Sequence, residues 1–87
     1  MKGTTRSGFE YNLDETALDD YELLEDLCEL DNGNTARTIS ALNRLLGTEQ
    51  KDRLKEHLRE ENGRVPASKM MIEMGEIFNS VKAGKNF

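Results

Sequence analysis

The chain has 87 residues, 36% of them hydrophobic, with no Trp, one Cys and a formal net charge of −5. A chain this short holds one small domain and buries only about 60% of the surface its unfolded form exposes, so its core is thin. The composition excludes an internal disulfide, because Cys28 has no partner. It also excludes a membrane-spanning segment, because there is no run of about 18 apolar residues.

The charge is divided unevenly. Between Ser7 and Ala36 lie ten carboxylates and no Lys or Arg, whereas residues 37–87 carry ten Lys and Arg against seven acids. An acidic balance disfavours nucleic acid and membrane surfaces as partners, since phosphates need neutralising cations. The start, Met1-Lys2-Gly3-Thr4, leads into polar residues and predicts no secretory signal. The expected location is a reducing cytoplasm.

In chain order, Thr4-Thr5-Arg6 and Phe9 to Leu13 flank Ser7-Gly8, and Phe9, Tyr11 and Leu13 alternate onto one face. That pattern predicts an N-terminal β-hairpin over about 4–13, turning at Ser7-Gly8. Two strands are marginal alone, so the apolar face must pack on something. Asp14 to Leu18 reads as a connector. A first helix is predicted over about 19–31, with Asp19 as its cap, Glu22 completing a capping box and Asn32-Gly33 as its stop.

A second helix is predicted over 35–46, capped by Thr35, with Ile39, Leu42, Leu45 and Leu46 inward and Gly47 at its end. A third, over 48–61, would be capped by Thr48 and stopped by Asn62-Gly63, with Leu54 and Leu58 as its strong apolar residues. A fourth, over 66–83, would start at Pro66 and carry Met70, Met74, Ile77, Phe78 and Val81 at helical spacing. Residues 84–87 read as a loose tail. The predicted class is α+β, mostly α: one domain over 1–87, a hairpin followed by about four short helices.

Four side chains of the first helix, Glu22, Glu25, Asp26 and Glu29, fall within about 100° of one another. They form four like-charge pairs at i,i+3 or i,i+4. At roughly 0.2–0.5 kcal/mol each, the stripe costs about 1–2 kcal/mol in an isolated helix. Two readings follow: a solvated face relieved by the basic later helices, or a docking surface for a basic partner. On the docking reading, Glu22→Lys with Asp26→Lys would keep the helical content and weaken binding. Met70, Met71 and Met74 likewise serve either a core or an adaptable apolar groove.

No chemistry-bearing constellation stands out. His57 reads as a surface residue and Cys28 as a small core residue. No metal-ligand spacing is present, and Glu29 to Gly33 fails the calcium-loop register. No cofactor is implied.

Several segments together resemble a known family. Ser7-Gly8-Phe9-Glu10-Tyr11 is followed by Leu13-Asp14-Glu15, then by Asp19 to Glu25, Leu45-Leu46-Gly47 and Glu49-Gln50-Lys51. Glu56 to Arg59, Asn62 to Pro66 and Glu73 to Phe78 complete the order. This order is similar to that of small tail assembly chaperone proteins from long-tailed phages and prophages of Gram-positive bacteria, over roughly Thr4 to Ala83. The resemblance implies a non-enzymatic protein that coats the tape measure protein and helps the tail tube polymerise around it. The chain would match the family's short form. Such a client is helix-rich, and amphipathic helices dock in apolar grooves with charged rims. Met70, Met74, Ile77 and Phe78 would supply the groove, and Glu22, Glu25, Asp26 and Glu29 the rim. Homo-oligomers would suit a thin core and a repetitive client. The alternative function is an acidic inhibitor whose carboxylates imitate nucleic-acid phosphates.

Overall fold

The computed structural model describes residues 1–84. Strands β1 (Lys2–Thr4) and β2 (Glu10–Asn12) pair antiparallel, with Gly3 opposite Tyr11. Helices α1 (Glu15–Leu18), α2 (Tyr21–Asp31), α3 (Thr38–Leu58) and α4 (Ala67–Gly84) follow. The architecture is the predicted one, a hairpin followed by four helices. The loose tail predicted over 84–87 begins inside α4, at Gly84, and 85–87 lie outside the described residues.

The hairpin differs from its prediction in register. The Gly8 N–H donates to the Thr5 carbonyl and the Thr5 N–H to the Phe9 carbonyl, both at 2.9 Å. Arg6 and Ser7 are therefore the central turn residues. Gly8, at φ 91°, takes the left-handed position after the turn, where a Cβ would be strained. This moves the first strand toward the N-terminus, to Lys2–Thr4. The alternation holds: Phe9, Tyr11 and Leu13 are all buried.

The predicted connector contains the helical turn α1, because the Asp14 carboxylate accepts from the Thr16 N–H and hydroxyl at 2.8 and 2.7 Å. These bonds hold the Asp14 carboxyl below its ordinary range. Asp19 closes α1, so the cap of α2 falls to Asp20, which accepts from the Glu22 and Leu23 N–H groups. A 3₁₀ turn (Thr35–Arg37), capped by Asn34 rather than by Thr35, leads into α3.

The second and third predicted helices are the two arms of α3, joined at Gly47. Gly47 has φ 75° and ψ 167°, a region only glycine enters readily. The space over it is open, since an added Cβ would meet nothing within 4 Å. Gly47→Ala is therefore expected to cost about 1–3 kcal/mol through backbone strain alone, read as a lower chemical denaturation midpoint. The helix ends at Leu58 rather than Glu61, because Arg59 turns extended (ψ 132°). Pro66 stands just before α4, its carbonyl accepting from the Met70 N–H at 3.0 Å.

One buried cluster joins the hairpin to the helices, with Leu13, Leu23, Leu45, Leu54, Ile77 and Val81 at its centre. Ile39, predicted to face inward, is 72% exposed. Thr38, Ala41, Leu42 and Leu45 carry the buried face instead, which turns position 39 outward. The Lys82 ammonium pairs with the Asp31 carboxylate and ties the end of α4 to that of α2. No described helix is long and apolar enough to cross a membrane.

Candidate functional site

The acidic face of α2 is where sequence and structure bear most on function. Its residues differ sharply in surroundings. Asp26 is 3% exposed. Its carboxylate accepts from Arg37 Nη1 at 2.9 Å and from the Ser40 hydroxyl at 2.6 Å, and Arg44 Nε stands 3.7 Å away. The Ser40 hydrogen bond holds the Asp26 carboxyl below its ordinary range, against the opposing effect of burial and with help from Arg37 and Arg44. Arg44 also reaches Glu22 at 3.1 Å and Asp20 at 3.5 Å. One guanidinium thus serves three carboxylates.

Glu29 is half-buried and accepts from the Asn34 amide at 3.1 Å. Glu25 alone of the four is exposed with no ion pair or hydrogen bond among the described residues. Glu22, Glu25 and Asp26 line a depression of about 250 Å³ with Arg37, Ser40 and Arg44, and its charge is mixed. The stripe is largely neutralised within the chain. This revises the double charge reversal: Lys at 26 would face Arg37 and Arg44 in a buried site, so helical content would not survive unchanged. Glu25→Lys is the cleaner probe. It is expected to shift stability by no more than about 0.5 kcal/mol, checked by thermal melting.

The apolar rim partners are also rearranged. Met74, Ile77 and Phe78 are buried in the core rather than forming an open groove, and Met70 is half-buried against them. The hairpin is bonded to α4 at Glu73, Glu76 and Ser80. Its Thr5 and Ser7 hydroxyls both donate to the buried Glu73 carboxylate, at 2.8 Å for Thr5. The Arg6 N–H donates to Glu76 at 2.9 Å, and the Tyr11 hydroxyl meets that of Ser80 at 2.9 Å. On the α3 side, the Asn12 N–H donates to Gln50 Oε1 and Gln50 Nε2 donates to the Asn12 carbonyl. The large apolar side chains of α4 that do face solvent are Met71 and Ile72.

Sequence reasoning missed the cluster of Ser7, His57 and Glu73, which lines a groove of about 610 Å³ with Arg6, Lys69 and Ile72. Its one signal was Glu73 standing inside the apolar stripe of α4. His57 Nε2 lies 3.0 Å from the Ser7 hydroxyl and 3.2 Å from the Ser7 carbonyl. A carbonyl only accepts, so Nε2 must carry a proton. The Ser7 hydroxyl proton goes to Glu73. The imidazole therefore donates to Ser7 rather than accepting from it, and Ser7 gains no general base. His57 is exposed, as predicted, and packs against Phe9 at 5.6 Å, with Arg53 over the same ring at 5.5 Å. Cys28, expected in the core, is exposed, because Leu23 and Leu27 carry the buried face of α2. Among the described residues, no three His, Cys, Asp or Glu side chains converge as a metal site would require.

No family model matches the chain, and neither the curated proteins nor the solved structures contain a match to it.

Proposed function

We propose that the protein is a non-enzymatic tail assembly chaperone of a long-tailed phage or prophage, binding the tape measure protein in the host cytoplasm while the tail tube assembles. The observation that carries this reading is the order of short motifs running from Ser7-Gly8-Phe9-Glu10-Tyr11 to Glu73-Met74-Gly75-Glu76-Ile77-Phe78. Two features of the surface support it. Tyr21, Ile39, Met71 and Ile72 offer exposed apolar contacts on three helices. Glu25 offers a carboxylate with no ion pair or hydrogen bond among the described residues. Contacts of this size are individually weak, and copies associated along a long client would gain from avidity.

The nucleic-acid-mimic reading loses ground. A phosphate mimic must present its charges, whereas Asp20, Glu22 and Asp26 are engaged by Arg37 and Arg44. The test is co-expression with the protein encoded by a long tape-measure-like gene beside it. The soluble fraction of that protein is expected to rise several-fold. An unchanged soluble fraction counts against the reading.

A further inference from the structure

The two edges of the hairpin end differently. Met1 and Leu13 exchange both backbone hydrogen bonds, and the Thr5 N–H donates to the Phe9 carbonyl. Gly3 faces Tyr11 between them, so Met1, Gly3 and Thr5 point their backbone polar groups at β2. Those of Lys2 and Thr4 therefore point away from β2, and among the described residues they have no partner. On β2 the matching outward groups of Asn12 are both taken by the Gln50 amide, at 2.7 and 2.8 Å. One edge is closed by a side chain; the other is open.

We propose that β1 pairs antiparallel with β1 of a second copy of this chain, giving a four-stranded sheet across a two-fold axis at Gly3. In that register Lys2 stands opposite the second copy's Thr4, and each such pair exchanges two backbone hydrogen bonds. Every outward N–H and C=O of Lys2 and Thr4 is then used. At the axis Gly3 meets Gly3 as a close, non-hydrogen-bonded pair, with Cα atoms about 4.5 Å apart and no side chains to crowd them.

Charge selects this occupant. Lys2, Thr4, Glu10 and Asn12 are exposed and share the solvent face of the hairpin, Lys2 opposite Asn12 and Thr4 opposite Glu10. Across the four-stranded sheet one row reads Glu10, Thr4, then the second copy's Lys2 and Asn12. Glu10 and that Lys2 flank the short Thr4 side chain on strands about 10 Å apart, a span their two long side chains close. Neither Lys2 nor Glu10 has an ion pair within the chain among the described residues. The two-fold axis makes the new pair twice. A lysine on an edge strand discourages strand addition; a strand with no acid in that row leaves it unpaired, whereas this chain brings one. The closed Asn12 edge admits no further strand, so assembly stops at two.

Three residues per edge bury well under the roughly 1,000 Å² of a stable complex, so the dimer is weak, half-formed on the order of several hundred micromolar. Copies gathered on one client would reach effective concentrations of that order. That consequence rests on the chaperone reading; the pairing does not.

Sedimentation equilibrium of the full chain from about 10 µM to about 2 mM brackets that midpoint. The mass is expected to rise from one chain to two and no further. A monomer at every concentration, or growth beyond two, overturns the proposal. Thr4→Pro removes an outward N–H and leaves the bonds of Gly3 and Thr5 to β2 in place, as proline on an edge strand allows. It should raise the dimer midpoint at least about tenfold with the far-UV circular dichroism unchanged. A folded variant with the parent's midpoint overturns the proposal. Should Thr4→Pro fail to fold, the charge row decides. Lys2→Glu and Glu10→Lys should each raise the midpoint about tenfold, and the two together should restore it. A midpoint that the double exchange does not bring back contradicts the pairing.

Discussion

Asp26→Ala is expected to destabilise the domain by about 3 kcal/mol, because it leaves two guanidinium groups and a hydroxyl facing an emptied, buried site. The figure sits at the low end for a broken buried pair. The Arg37 and Arg44 side chains are 41% and 35% exposed, so water can recover part of the loss. For a chain of this length, the melting temperature should fall by more than about 10 °C. The same residue sets a pH dependence. Its folded carboxyl is depressed, so its contribution is complete above the unfolded value of about 3.9 and is lost as pH falls toward the lower folded value. Acid unfolding of the parent chain should therefore steepen below about pH 4. Asp26→Asn should be less stable at neutral pH and show a shallower acid limb. A variant as stable as the parent would mean that the Arg37–Asp26–Arg44 cluster contributes nothing.

Ile77→Ala should cost about 3 kcal/mol, within the range for emptying a fully buried aliphatic site. Ile77 has no exposed surface and shares the cluster with Leu54, Leu13 and Val81, so its cavity opens where hairpin, α3 and α4 meet. A domain of this size has only a modest margin, and such a loss removes much of it. Ile72→Ala, five residues away on the same helix, is the control. Ile72 is 63% exposed, and its truncation is expected to change stability by no more than about 0.5 kcal/mol. Urea denaturation of the two variants separates the core face of α4 from its solvent face. Similar losses would show that Ile72 is covered in solution by something other than this chain.

The elements were legible wherever one local rule governed them. The alternation of Phe9, Tyr11 and Leu13 marked the buried face of the hairpin, and Gly47 marked the break in α3. Errors arose where two neighbours could play one part. Asp19 and Asp20 are equal as caps, and the choice fell to Asp20 because α1 ends on its neighbour, with Leu18 buried. Ile39 and Cys28 were misplaced because burial depends on which side of a helix meets a partner, which composition does not encode. The candidate site was the least legible part. Which carboxylate would meet Arg37 and Arg44 is a long-range fact, as is the seating of the Thr5 and Ser7 hydroxyls on Glu73. The sequence showed the acids and the bases; only the packing of α2 on α3 assigned Asp26 to the arginines and left Glu25 outside.

The chaperone role is tested by following the aggregation of a purified tape measure protein on dilution from denaturant, by light scattering, with this chain added in increasing ratio. Scattering is expected to fall progressively with added chain. The suppression should survive a rise from low to moderate salt, because apolar contacts carry most of the binding. Scattering that is unchanged at every ratio would contradict it.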